Sequence, residues 1–352
     1  MGQERQLFIN AHPYQRVKGR VDQVNGFYQR DLTPQLGVMR LPVPRTRTGA
    51  YHTRVLERYQ RREPLIHEAL KEVFLLGVST RQSGRALATW VEDSVSAATV
   101  SAVAQSLDVS VQAYQRRPLK DDYRYFTLDG VSVRIRLVGK VQRRMALCAY
   151  GITREGKREL IDFRIVKAEG EEPWQDFLWN LWNRGLQGKF LELVVTEGQA
   201  GLIRAVGRLW GSVPHQRCWA HKLRNLENKL KASQRSCLDQ AKEIYLARNK
   251  TEALTQFRKG KCAWEPAAAK AVSCVEEYLE ELLAFFGTPQ AHWKRLRTTH
   301  IIERLFIEVR RRIRKRCAFT TRNSCERILS SVLARMNDNG SRHPLSAFIQ
   351  HS

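Results

Sequence analysis

Residues 126–137 read Phe126-Thr127-Leu128-Asp129-Gly130-Val131-Ser132-Val133-Arg134-Ile135-Arg136-Leu137. From Val131 onward the apolar residues occupy every second position, with Ser132, Arg134 and Arg136 between them. A period of two is the signature of a half-buried strand. Asp129 shares the parity of Val131, so this strand carries a carboxylate on its inner face near one end. Met145 to Ile152 reads as a second strand, Arg154-Glu155-Gly156-Lys157 as a turn, and Glu159 to Val166 as a third strand. Short turns between three strands predict an antiparallel meander. A helix over Pro173 to Arg184 begins with proline, as helices often do, and its apolar stripe is Trp174, Phe177, Leu178, Leu181 and Trp182. Phe190 to Thr196 is a fourth strand, Ala200 to Trp210 a helix, and Val213 to Arg217 a fifth strand. The order β-β-β-α-β-α-β-α predicts an α/β layer architecture, with strand four beside strand one.

After Cys218 the pattern is helical over Ala220 to Leu230, Cys237 to Leu246, Thr251 to Phe257 and Ala267 to Phe286. This block is too long for a loop. It predicts a helical insertion, about 222–295, between a first part of the core at 121–221 and a last part at 296–340. Helices over Thr299–Arg316 and Asn323–Met336 close that last part.

Residues 1–50 read as a basic arm with a hairpin at about Phe27 to Pro44, where Pro42 and Pro44 limit pairing because proline lacks the amide donor. Residues 51–120 read as helical. Leu65, Ala69, Val73 and Leu76 fall at helix spacing, and Gly77-Val78-Ser79-Thr80-Arg81 supplies a stop and a new N-cap. Helices over Thr80 to Val91 and Ala97 to Leu107 follow, the second with Thr99, Ser101 and Gln105 on its polar side. That succession fits a helix-turn-helix-like DNA-binding domain, a plain helical bundle being the alternative.

The chain has 60 Lys+Arg against 35 Asp+Glu, a formal charge of +25. Such an excess points to a polyanionic partner, most commonly nucleic acid. No apolar run approaches the ~20 residues of a transmembrane helix, no amphipathic anchor or lipidation signal is evident, and Met1-Gly2-Gln3-Glu4-Arg5 opens no signal peptide. The seven cysteines are odd in number and scattered, which predicts free thiols in a reducing compartment.

Against this basic background three carboxylates stand at element ends. Asp129 lies on strand one, Glu197 ends strand four in Leu193-Val194-Val195-Thr196-Glu197-Gly198, and Glu303 sits in the helical run Thr298-Thr299-His300-Ile301-Ile302-Glu303-Arg304-Leu305. Singly they read as a turn residue, a strand end or helix cap, and an ion-pair partner. Jointly, in this element order, they predict a site for divalent ions. Two such ions about 3.5–4 Å apart can activate an attacking oxygen and stabilise a leaving one in phosphodiester chemistry, and magnesium favours carboxylate oxygens. On the Glu303 helix the buried stripe would be Ile302, Leu305, Phe306, Val309 and Ile313, leaving Arg310, Arg311 and Arg314 near a DNA backbone. Arg45, Arg47, Arg81 and Thr99 are the candidate DNA contacts of the N-terminal half. Cys218-x-x-His221 has no second pair at a spacing that would complete a structural zinc site. Its expected role is structural for Cys218, with His221, like His300, near the chemistry or the DNA.

These blocks together resemble the mutator-type transposases of bacterial insertion sequences. The likeness runs from about Asn25 to Asn337. It is carried by Asn25-Gly26-Phe27-Tyr28-Gln29-Arg30, Leu128-Asp129-Gly130, Trp174 with Leu181 and Arg184-Gly185-Leu186, Gln216-Arg217-Cys218-Trp219-Ala220-His221-Lys222, and Arg297 to Arg304 with Arg310-Arg311-Arg312. The resemblance implies an RNase H-like catalytic domain whose acidic triad, Asp129, Glu197 and Glu303, binds two Mg2+ (or Mn2+) ions. It implies hydrolysis at terminal inverted repeats of double-stranded DNA and strand transfer into target DNA, by a homodimer or larger assembly in the bacterial cytoplasm, at the nucleoid. The chain departs from the family pattern at three places. Glu197-Gly198-Gln199 replaces Asp-Gly-His, His300 stands for a usual Asn, and Phe306 for another. A carboxylate one methylene longer, in a site held to about 0.5 Å, predicts impaired catalysis. Two rival readings stay open: a catalytically inactive, transposase-derived DNA-binding protein, and a structure-selective nuclease of another RNase H-like class.

Overall fold

The computed structural model describes residues 1–12, 14–32, 39–55, 101, 103, 105–313 and 318–348. The expected helix-turn-helix, with Arg81 and Thr99, lies outside the described residues, as does Arg314. The chain divides into two compact units, Met1–Asp108 and Val109–Ser352.

In the first unit, helix α1 (Gly2–Ile9) accompanies an antiparallel pair, β1 (Val24–Leu32) and β2 (Met39–Thr46). The stretch expected as an arm is therefore a helix joined to a hairpin. Arg5 is buried and donates to the Gly26 carbonyl at 3.0 Å, and Tyr51 donates to the Met1 carbonyl at 3.0 Å. Both prolines pair, Pro42 with Gln29 and Pro44 with Phe27. Two residues apart, they turn their missing donors to the same side of the strand, so the alternate amides keep the ladder. Arg45 and Arg47 are exposed here.

Helix α2 (Leu107–Arg116) spans the division between the units, and the second unit is built on a five-stranded mixed sheet. Its strands are β3 (Tyr123–Leu137), β4 (Lys140–Thr153), β5 (Arg158–Val166), β6 (Leu193–Thr196) and β7 (His215–Arg217), in the order β5-β4-β3-β6-β7. β3, β4 and β5 form the antiparallel meander, and β6 runs parallel to β3, as the element order predicts. Helices α3 (Glu171–Asn183) and α4 (Ala200–Trp210) make the two crossovers. Their Trp174, Phe177, Leu181, Leu202 and Trp210 pack on Phe126, Leu128, Leu147 and Ile161 in one apolar cluster. A buried aromatic removes about 150–250 Å² from water, a gross gain of about 4–6 kcal/mol each.

Past β7 come α5 (Trp219–Glu227), α6 (Ser236–Leu246) and α7 (Lys250–Glu276). α7 kinks at Ala268, two residues after Pro266, because proline breaks the helical hydrogen-bond ladder. The end of this helical block is tied to β7: Leu282 accepts from the side chains of Gln216 (3.0 Å) and Trp219 (2.7 Å). α8 (His300–Ile313) and α9 (Arg322–Arg342) then pack against β3. Ile302, Leu305, Phe306 and Val309 are each 1% exposed, so the stripe read from the sequence is the buried face of α8.

The β3–β4 hairpin runs on past β6, which pairs β3 only to Leu128, and past β5, which pairs β4 only from Met145; Phe319 bridges β3 at Ile135. Val138 and Gly139, both with positive φ, make the two-residue turn.

No helix among the described residues is long and apolar enough to cross a membrane. The described cysteines are free thiols.

Candidate functional site

Register brings the first two carboxylates together. Leu128 of β3 pairs with Thr196 of β6, so Asp129, midway along β3, lies beside the end of β6, where Glu197 follows Thr196. Gly198 follows at φ +100, a backbone state open chiefly to glycine. It turns the chain into α4, which Gln199 caps by accepting from the Leu202 amide at 2.6 Å. The Gln199 that departs from the family pattern thus serves as a helix cap.

His221 comes from the first turn of α5. Ligand atoms of Asp129, Glu197 and His221 lie within 4.8 Å of one another. Cys218 is buried at the N-cap of α5, and its sulfur accepts from the Thr299 amide at 3.2 Å. Thr299 also places its hydroxyl 3.4 Å from His221 Nδ1. Cys218 therefore joins the start of α8 to the start of α5 and lies outside the ligand cluster.

Glu303 stands at the rim. Its carboxylate accepts from Arg224 at 3.3 Å, lies 2.8 Å from His300 Nδ1, and is 3.9 Å from His221 Nε2. Both auxiliary histidines thus sit on Glu303, and His221 bridges it to the other two acids. Arg310 and Arg311 are exposed further along α8, with Arg311 paired to Glu308 at 3.0 Å.

The electrostatics differ across the triad. Burial pushes the Asp129 carboxyl up to about 7, the Thr299 hydroxyl opposing and the Glu303 and Glu169 charges adding. Burial, and then Asp129 itself, also raise Glu197. Burial likewise acts to raise Glu303, but His300, Arg224 and His221 outweigh it and hold that carboxyl below its usual range. Burial and the neighbouring Arg224 keep His221 low and therefore neutral, the form that ligates metals.

Two buried carboxylate oxygens, Asp129 Oδ2 and Glu197 Oε1, have no hydrogen-bond partner. Buried polar atoms are ordinarily satisfied, and a carboxylate can only accept. When the two groups are ionised, the missing partner is a donor or a cation. Hard oxygen ligands with one imidazole suit Mg2+ or Mn2+, so the residues present fit a divalent ion.

Sequence reading missed three features. Glu169, in the turn before α3, lies against Gly130 and Glu197; the small residue beside Asp129 was its one trace. Arg217 donates to the Gly198 carbonyl and to Glu281. The β3–β4 hairpin exposes Arg134, Arg136 and Arg143, which the period of two recorded only as a polar face.

Residues 1–342 match the family described as Transposase, Mutator family. The transposase for insertion sequence element ISRM5 of Rhizobium meliloti is 33% identical over 332 residues, 94% of this chain and 83% of that one. The transposase for IS256 in transposon Tn4001 of Staphylococcus aureus is 33% identical over 346 residues, 96% and 87% of the two chains. The transposase for IS406 of Burkholderia multivorans is 34% identical over 340 residues, 95% and 87%.

Proposed function

The chain belongs to the Mutator family of transposases, and from that premise we propose that it moves an insertion sequence by metal-dependent cleavage of DNA at terminal inverted repeats and transfer of the freed strand into target DNA. We assign the chemistry to an RNase H-like domain with Asp129, Glu197 and Glu303 as its acids. The observation that carries this reading is the pair of orphaned oxygens on Asp129, within β3, and Glu197, just past the end of the neighbouring β6. In a chain of charge +25, an unpaired acidic pocket is suited to a cation and, through it, to phosphate.

Asp129, Glu197 and His221 would hold a divalent ion, and Glu303 would complete the set from α8. Bound divalent ions, Mg2+ or Mn2+, supply Lewis-acid polarisation of a phosphodiester and a nucleophile at neutral pH. The protein's own residues do the rest. Cys218 and Thr299 fix the α5–α8 junction, so that His221 and Glu303 approach together. Arg224 and His300 hold Glu303 ionised. Glu197 occupies the second acidic position despite its extra methylene: its carboxylate reaches within 4.8 Å of ligand atoms on both Asp129 and His221. Metal ligation by Glu197 is therefore part of the proposal.

In the second unit the DNA backbone would run along exposed arginines, Arg310 and Arg311 on α8 and Arg134, Arg136 and Arg143 on the β3–β4 hairpin; the first unit has its own candidate contacts, Arg45 and Arg47. Arg134 faces Arg143 directly across the strands. Opposed like charges are unfavourable in a sheet unless a polyanion lies over them. Pairing two element ends calls for a homodimer or larger assembly.

The test is nicking and joining of a duplex carrying the element's own end, with Mg2+ or Mn2+. Loss of nicking in Asp129→Ala with end binding kept supports the reading, and unchanged nicking overturns it.

A further inference from the structure

We infer that Glu169 is a fourth carboxylate of the metal centre, facing Glu197 from the side opposite Asp129. The inference rests on the metal-centre reading above and extends it to a residue outside the acidic triad.

Three contacts fix this side chain. The indole nitrogen of Trp174, a fully buried residue of α3, donates to Glu169 Oε1 at 2.8 Å. The carboxyl group lies directly over Gly130. A methyl carbon built on Gly130 would stand 2.6 Å from Oε1 and 2.8 Å from Oε2 and the carboxyl carbon. On its open side Glu169 meets Glu197, within hydrogen-bonding reach, and Glu197 also meets the Gly130 amide. Glycine at position 130 thus leaves room for a second acid beside the strand that carries Asp129.

Ionised together, these carboxylates favour a cation. Glu197 lies between Glu169 and Asp129, and among the described residues no lysine or arginine forms an ion pair with any of the three, although the chain carries 60 such side chains. Two like charges about 4 Å apart repel by roughly 4 kcal/mol at an effective dielectric of 20. Asp129 is 2% exposed, and its Oδ2 is unpartnered within this cluster. A lone structural acceptor for Trp174 would not need to face Glu197, another carboxylate. A ligand would, with Glu197 shared between the Asp129 and Glu169 sides.

The experiment is calorimetric titration of the full chain with Mn2+, without DNA, on wild type, Asp129→Asn, Glu169→Gln and Gly130→Ala. Circular dichroism and thermal melts control for folding. Glu169→Gln keeps an oxygen to accept from Trp174, so a purely structural role predicts unchanged Mn2+ binding and melting. The inference predicts one Mn2+ fewer, or binding weakened about 10–100-fold, with the metal-free melting temperature maintained or raised as repulsion is relieved. Gly130→Ala displaces the same carboxylate without altering it and is expected to reproduce the loss. Wild-type Mn2+ binding in Glu169→Gln, alongside loss in Asp129→Asn, overturns this inference alone. Intact binding in Asp129→Asn overturns the metal-centre reading and this inference with it.

Discussion

Arg217 Nη1 donates to the carbonyl oxygen of Gly198 at 2.7 Å, tying the residue that follows Glu197 to the neighbouring strand. The same guanidinium donates to Glu281 at 2.5 Å and lies 3.6 Å from the centre of the Tyr278 ring. The end of the helical insertion thereby braces the turn that presents an acidic ligand.

Arg217→Ala is predicted to destabilise the protein by about 1–3 kcal/mol, since it leaves the half-buried Gly198 carbonyl without its donor and Glu281 with His215 alone. It should also weaken Mn2+ binding by loosening Glu197. Arg217→Lys restores a charge but not the two-armed geometry and should recover stability better than ion affinity. Urea melts beside Mn2+ titrations separate the two effects. Equal recovery of both would contradict the bracing role.

Glu197→Asp shortens the second acid by one methylene. With Asp129 and His221 already within ligand reach of Glu197, the hypothesis of a working Glu predicts metal-dependent nicking in the chain as it stands, and a modest change in the Asp form. Activity confined to Glu197→Asp would show instead that the natural chain is impaired. Absence of nicking in both, with end DNA still bound, would identify a binding protein.

The hairpin arginines should act through phosphates. Replacing Arg134, Arg136 and Arg143 together with alanine is predicted to weaken DNA binding about equally for specific and unrelated duplexes. The slope of log K against log salt should fall by up to about 3, near one per lost contact. Fluorescence anisotropy at several salt concentrations measures this, and an unchanged slope would remove the hairpin from the DNA path.

A pH effect is expected at His292. Tyr125 lies 2.8 Å from its Nδ1, the Ala347 carbonyl 2.7 Å from its Nε2, and the Phe348 ring stacks on it at 3.9 Å. Burial pushes its pKa below the usual value, with Arg124 adding and the Ala347 bond opposing. A histidine lowered on folding contributes stability above its unfolded pKa of about 6.5, and that contribution is lost as pH falls through the folded value. Stability should therefore drop from pH 7.5 to 5 in wild type. His292→Gln, weaker at pH 7.5, should lack this component; an identical drop in both proteins would exclude it.

Much of the core could be read locally. Alternation at Val131–Leu137, the stripe Trp174-Phe177-Leu178-Leu181 and the stripe Ile302-Leu305-Phe306-Val309 each report which side of an element is buried, because strand and helix periods impose that pattern on nearby residues. The order of elements further predicted β6 beside β3, and so Asp129 near Glu197. Like charges at Arg134 and Arg143, by contrast, oppose each other only through a register that no single strand encodes.

The sequence by itself determined the element order, the buried faces, the basic balance and the three acids as candidates, since each follows from local periodicity or composition. Tertiary structure alone decided the company those acids keep. Glu169 reaches Glu197 through the packing of Trp174 and the bare backbone at Gly130. His221 reaches Glu303 through the Cys218–Thr299 contact, 81 residues apart in the chain. Contacts of that kind depend on strand register and on which helix ends meet, and neither leaves a periodic trace in sequence.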